Sequence, residues 1–119
     1  MFKVIMLVKK KDLLTQDEFI ALWQEHSQKV IAFKDILRIK HYAKTLPLPA
    51  DNSPATQRKT RAFTFDAMGE LWYESKEAFI QARNSPTGQH ALAVLKEDEQ
   101  KFVDLTHSVM WLGEEERIL

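Results

Sequence analysis

Two side chains in this sequence, His26 and Tyr42, have the chemistry needed to move a proton. His26 continues a helical stripe with three-and-four spacing and therefore points to the covered side of its predicted helix; the other members are Phe19, Leu22, Trp23 and Val30. Its imidazole has an ordinary pKa of about 6.5, so it can act as a general base or acid near neutral pH. Tyr42 can donate a hydrogen bond to a carbonyl or a developing enolate.

Each of these residues also has a purely structural interpretation. His26 can be a core histidine held by a backbone carbonyl or by a carboxylate such as Glu25. His41 and Tyr42 are neighbours on a predicted strand and face opposite sides, so at most one of them enters a given cavity. Both can equally be residues of an amphipathic edge strand, with their polar tips in water. The sequence leaves both interpretations open.

Four aromatic residues, Trp23, Phe63, Phe65 and Trp72, are of types that most often fill a core. If they line a hollow instead, the ligand they bind would be flat and largely apolar. We keep them, with Ser27, as predicted substrate-binding residues.

Composition excludes several functional classes. The 119 residues include 17 basic and 17 acidic side chains and no cysteine, so nucleic-acid binding, disulfides and thiolate chemistry are not expected. The chain has no phosphate-binding glycine loop and no nucleophile elbow. Histidines 26, 41, 90 and 107 are too far apart for a local metal motif, and we predict neither a metal nor a cofactor. Residues 2–8 are too short for a membrane span, and we expect a cytoplasmic protein.

The first half of the chain predicts a strand, a helix and a strand. Residues 2–8 form an apolar run typical of a central strand covered on both faces. Thr15 and Glu18 form a capping box that starts a helix running to about Phe33. The second strand, 36–45, is half polar and is placed at a sheet edge. Its predicted sides are Leu37, Ile39, His41 and Ala43 on one, and Arg38, Lys40, Tyr42 and Lys44 on the other.

The irregular segment 46–60 contains three prolines and is either a lid over a site or a plain surface loop. A long third strand is predicted over 62–73, where Gly69 indicates a bulge or a close backbone approach. The second helix opens at Ser75, and Ser85 restarts it as an N-cap before a proline.

The face of the restarted helix carries Leu92, Leu95, Glu99 and Phe102. The last strand is predicted over 105–112. This order is that of a ferredoxin-like βαββαβ α+β domain over residues 1–119, with an antiparallel sheet and both helices on one face. Two helices cover one face only, so we expect a homodimer through the other.

Several segments, taken in order, resemble the EthD family of dimeric α+β barrel proteins. They are Lys3 to Lys10, Glu18 to His26, Tyr42, Gly69 to Ser75 with Ala78-Phe79, Ser85 to Gln89, Phe102 to Leu105, and Glu114-Glu115. The resemblance implies a ferredoxin-like subunit whose sheet packs against that of a second subunit. It also implies that a helix-one histidine and a second-strand tyrosine, here His26 and Tyr42, transfer protons in those members that are enzymes.

One departure from the family pattern bears on chemistry. Where many relatives have His-His-Ala-Pro, this chain has His26-Ser27-Gln28-Lys29, so the second histidine is replaced by serine. Our leading hypothesis is a cofactor-free isomerase or lyase acting on a small aromatic or lactone-like metabolite. A non-catalytic binding or accessory protein of an oxygenase or degradation pathway is the rival, and a dimeric interaction module with a filled core is a third possibility.

Overall fold

A computed structural model describes residues 1–49, 53–55 and 57–119. Its elements, in chain order, are β1 (Phe2–Val8), α1 (Gln16–Ala32), β2 (Ile39–Thr45), β3 (Ala67–Tyr73), α2 (Lys76–Asn84), α3 (Pro86–Glu99), a 3₁₀ turn (Leu105–His107) and β4 (Val109–Glu114). The strands form one antiparallel sheet in the order β2-β3-β1-β4. The predicted ferredoxin-like α+β fold is therefore confirmed, and β2 lies at an edge.

The starts of the helices follow the capping signals in the sequence. The Thr15 hydroxyl accepts a hydrogen bond from the Glu18 amide at 3.1 Å, and the Glu18 carboxylate accepts one from the Thr15 amide at 2.9 Å. Ser85 separates α2 from α3 and accepts a hydrogen bond from the Gly88 amide at 3.0 Å. A Cβ at Gly88 would lie 1.7 Å from the carbonyl oxygen of Ala82, so this corner requires glycine.

Strand β2 begins later than predicted and carries an irregularity that the sequence analysis missed. Residues 33–38 form a turn in which Arg38 has a φ of 57°, which delays the strand to Ile39. Ile39 pairs with Tyr73 and His41 pairs with Trp72, so Lys40 is an extra, bulged residue. Because of the bulge, Ile39 and Tyr42 share a face, which corrects their predicted placement on opposite sides.

Strands β3 and β4 also start later than predicted. Pairing of β3 with β1 ends at Ala67 opposite Val8, because the Asp66 carboxylate then accepts a hydrogen bond from the Lys10 amide at 2.8 Å. Residues 62–66 are outside the strand. Before β4, the Asp104 carboxylate accepts a hydrogen bond from the Thr106 hydroxyl at 2.8 Å and holds the 3₁₀ turn in place of a strand.

The sheet has two different faces. The covered face, defined by Val4, Met6, Val8, Gly69 and Leu71 with their strand neighbours, packs against the helices. Its core includes Phe19 and Trp23 of α1, Phe79 of α2, and Phe102, all less than 9% exposed. The open face is defined by Lys3, Ile5, Leu7, Trp72 and Trp111, the alternate residues of the same strands.

Candidate active site

A cavity of about 230 Å³ lies between the covered face and the helices. Its apolar wall includes Val4 and Leu71 of the sheet and Leu92 and Leu95 of α3. Eight side chains with polar groups also line it: Trp23, His26, Tyr42, Glu70, Tyr73, Arg83, Lys96 and Glu99. The cavity is larger than the engineered void of about 150 Å³ that holds benzene in another protein. A filled core, which the interaction-module hypothesis requires, is not what the structure shows.

His26 is held by a carboxylate, but not by the one expected. Its Nδ1 lies 2.8 Å from Oδ2 of Asp98 on α3, whereas Glu25 is exposed. Burial lowers the pKa of His26, against the opposing effect of the Asp98 carboxylate, so the ring is neutral at neutral pH. An ionised carboxylate only accepts hydrogen bonds, so Nδ1 carries the proton and Nε2 keeps its lone pair. Nε2 has no hydrogen-bond partner among the described residues.

Asp98 is ionised because cations surround it. It is 6% exposed, and burial alone would raise its pKa. Hydrogen bonds from Lys29, at 2.6 Å, from His26, and from Lys101, at 3.1 Å, outweigh that cost and lower the pKa to about 2. The carboxylate therefore stays charged behind the imidazole and can stabilise an imidazolium if Nε2 takes up a proton.

Tyr42 is also prepared for a defined role. Its hydroxyl oxygen accepts a hydrogen bond from Nε1 of Trp23 at 2.8 Å, and the Ser27 hydroxyl lies 3.3 Å away. A donor already directed at the phenolic oxygen leaves its own proton available to a ligand oxygen. Trp23 is held in turn by Phe19 and by Gly69, where a Cβ would come within 3.1 Å of the indole. Gly69 thus makes the close approach that its sequence position predicted.

The structure brings four of the seven predicted site residues together: Trp23, His26, Ser27 and Tyr42. Trp23, His26 and Tyr42 line the cavity, and Ser27 reaches it through Tyr42. Asp98, Tyr73, Arg83 and Glu99 were not predicted as site residues. Glu99 carried a usable signal, since it interrupts an otherwise apolar stripe of α3.

The other three predicted substrate-binding residues lie outside this cavity. Trp72 is on the open face, where its ring is 6.1 Å from that of His41. Phe63 is 51% exposed and contacts Phe65 at 5.7 Å between ring centroids. Both phenylalanines precede the true start of β3, so strand alternation does not direct them inward. The proposed lid over 46–60 includes residues 50, 51, 52 and 56, which are outside the described residues.

No group of three or more histidine, aspartate or glutamate side chains in residues 1–49, 53–55 and 57–119 is placed to hold a metal ion. Within the same ranges, no helix is long and apolar enough to cross a membrane.

Comparison with known proteins identifies the family. Residues 11–106 match the EthD domain, so the chain belongs to the EthD domain family. No curated protein matches this sequence.

Three solved structures illustrate the shared fold. An EthD-like protein from Ralstonia eutropha JMP134 is 19% identical, with a TM-score of 0.63 over 98% of this chain and 95% of its own. A dimeric ferredoxin-like protein of unknown function from Thermobifida fusca YX is 15% identical, with a TM-score of 0.57 over 96% of this chain and 90% of its own. A hydroxynitrile lyase from Passiflora edulis is 17% identical, with a TM-score of 0.54 over 98% and 95%.

Proposed function

We propose that this protein is a cofactor-free isomerase or lyase that moves a proton on a small aromatic or lactone-like metabolite. The observation that carries the proposal is the Asp98–His26 pair, in which His26 lines the cavity and Asp98 lies behind it: a neutral imidazole with an occupied Nδ1 and a free Nε2. The Tyr42 hydroxyl lines the same cavity. One of the proteins with this fold is itself a lyase, which agrees in reaction class.

The proposed step is a balanced proton transfer. Nε2 of His26 takes a proton from a carbon next to a carbonyl, and the C–H electron pair forms a C=C bond. The carbonyl π electrons move to the oxygen, which accepts a hydrogen bond from Tyr42 as an enolate. Asp98 stabilises the resulting imidazolium. Return of the proton to a different carbon completes an isomerisation, and loss of a leaving group completes an elimination.

We also propose that the chain acts as a homodimer through the open face. Trp111 and Val109 of β4 are 50% and 44% exposed in the single subunit, and Ile5 and Leu7 of β1 lie beside them. Such a contiguous apolar surface is costly in water and is typical of an interface. The Thermobifida fusca protein with this fold is dimeric.

Replacing His26 with glutamine tests the proposed base. The probes are a set of unsaturated five- and six-membered lactones and aryl ketones in D₂O, with deuterium uptake next to the carbonyl followed by NMR. We expect the wild type to catalyse exchange on at least one probe. His26→Gln should slow it by about 100- to 10,000-fold, the usual contribution of a general base.

His41→Gln is the matched control, because His41 is exposed and lies on the opposite face, against Trp72. Its exchange rate should equal that of the wild type. Exchange that survives His26→Gln would remove His26 as the base. Binding of a probe, or of a co-purified metabolite identified by native mass spectrometry, without any exchange in the wild type would favour the non-catalytic binding role instead.

A further inference from the structure

Arg83 lies in the last turn of α2 and lines the cavity. Its guanidinium carbon is 4.1 Å from the ring centroid of Phe79, a buried core residue. No carboxylate and no hydrogen-bond acceptor among the described residues pairs with it. Burial lowers the pKa of Arg83, but from so high a value that the side chain is charged at any physiological pH. A partly buried cation without an anion therefore lies in the cavity wall.

The other charges near the cavity do not compensate for Arg83. Lys96 and Glu99 are three residues apart on α3, and the lysine charge partly offsets the rise that burial causes in the pKa of Glu99. Glu70 is paired with Lys3 at 2.6 Å. His26 is neutral, and Asp98 behind it is paired with Lys29 and Lys101 (above). The lining thus carries one positive charge beyond these pairs, that of Arg83.

A second donor lies close to Arg83. Tyr73 is 1% exposed, and its hydroxyl has no hydrogen-bond partner among the described residues although it lines the cavity. Both side chains pack on Phe79, whose ring centroid is 4.1 Å from the guanidinium carbon of Arg83 and 4.9 Å from the ring centroid of Tyr73. In agreement with this placement, the charge of Arg83 opposes the rise that burial causes in the pKa of Tyr73. A guanidinium and a phenol side by side are a donor set suited to a carboxylate, which accepts several hydrogen bonds at once.

We infer that the ligand of this cavity carries a carboxylate, which binds Arg83 and Tyr73 while the reactive carbon lies near His26 and Tyr42. The substrate class is then a small aromatic or lactone acid with one negative charge, complementary to the single uncompensated cation. The inference depends on the proposed function in one respect only, that the cavity is the ligand site. A cavity of about 230 Å³ holds one ring with a carboxylate, not a polycyclic ligand.

Benzoate and benzamide test this inference, because they match in shape and differ in charge. Both are titrated into the ¹⁵N-labelled protein and followed by NMR. We expect the wild type to bind benzoate about 10- to 100-fold more tightly than benzamide, the range for a desolvated charged hydrogen bond. Arg83→Gln should remove the preference by weakening benzoate alone. Arg38→Gln is the control, since Arg38 is exposed and its guanidinium donates to Gln81, outside the cavity.

Arg83→Met gives a second measurement if Arg83→Gln fails to fold, because methionine keeps an apolar chain against Phe79 while removing the charge. Equal binding of the two probes by the wild type, a preference that survives in both folded variants, or no benzoate binding at its solubility limit would each overturn the inference. The benzoate titration requires no turnover. A wild type that catalyses no proton exchange would therefore leave the benzoate preference intact, and the two proposals fail separately.

Discussion

Charged side chains lie on both faces of the sheet, but they are partnered in different ways. On the open face, Lys3 donates to Glu70 at 2.6 Å and to Glu115 at 3.3 Å, while Trp72 donates to Glu115 at 3.2 Å. The hydrogen bond to Glu70 raises the pKa of Lys3. In the cavity on the covered face, Arg83 has no such partner among the described residues.

This difference separates structural charge from functional charge. A closed ion-pair network needs nothing further, whereas an unpaired cation beside a cavity keeps a desolvation cost that a ligand can relieve. This contrast agrees with our proposals that recognition and chemistry belong to the covered face and subunit pairing to the open face. Each of the following changes alters one face of the sheet.

The largest effect is expected from Trp111→Glu on the open face. A carboxylate placed in the proposed interface would be desolvated without a partner, so the dimer dissociation constant should rise by about 100-fold or more. Sedimentation equilibrium over a range of concentrations measures it. Leu13→Glu, at a loop residue that is 97% exposed, is the control for added charge. An unchanged dissociation constant would place the interface elsewhere.

Asp98→Asn should slow the proposed proton exchange by about 10- to 100-fold, because the amide can still accept from Nδ1 but no longer stabilises the imidazolium electrostatically. Its pH profile should shift as well, since the pKa of His26 loses the opposing effect of the carboxylate. Asp104→Asn is the control: Asp104 is bonded to exposed His107 at 2.7 Å. Equal losses in both variants would mean a general effect on folding.

Gly69→Ala and Gly113→Ala compare one glycine on each face. A methyl group at Gly69 would meet Trp23, which Phe19 and Phe102 hold in place. The free energy of unfolding should therefore fall by about 1–3 kcal/mol. At Gly113 the contact is Trp111, which is half-exposed and can rotate away in the single subunit, so the change should stay below about 1 kcal/mol there. Urea unfolding at a protein concentration below the dimer dissociation constant gives both values. The reverse order would mean that Trp111 yields less easily than Trp23.

The smallest effect concerns stability in mild acid. The folded pKa of His26 is below its ordinary value of 6.5, so the unfolded chain binds the proton first. The free energy of unfolding should therefore fall as the pH drops below 6.5. Between pH 7.5 and pH 5.5, His26→Gln should lose less of this free energy than the wild type does. Both pH values lie within the range of about 5 to 8 where native proteins are usually most stable. Chemical denaturation at both pH values measures this. The depressed pKa of Asp98 affects stability at lower pH, as the pH falls from its ordinary value of 3.8 to its folded value of about 2.

The helix starts could be predicted because their signals are local. Thr15 with Glu18, and Ser85 with the following proline, satisfy orphan amides within a few residues of sequence. The starts of β3 and β4 could not be predicted, because they are set by the neighbouring strand. In an antiparallel pair, one strand begins opposite the last residue of its partner. Phe63 and Phe65 look like strand residues by type, yet Val8 already closes the pairing at Ala67.

The site could likewise be predicted only where its residues are close together in the sequence. Trp23, His26 and Ser27 share one side of α1, so helical spacing alone brings them together. Asp98 is 72 residues away from His26 and meets it only because α3 packs beside α1. Arg83 lies in a short helix among polar neighbours, and only the packing of α2 against Tyr73 through Phe79 gives it a buried environment.

The bulge at Lys40 makes β2 tolerant of a change in chain length. Since Ile39 and Tyr42 already face the cavity on either side of an extra residue, a chain lacking Lys40 would be a regular strand with the same side chains inward. Elsewhere in the sheet, removal of one residue would turn the rest of the strand over. This edge can therefore gain or lose a residue in evolution or in engineering while its contribution to the cavity is kept.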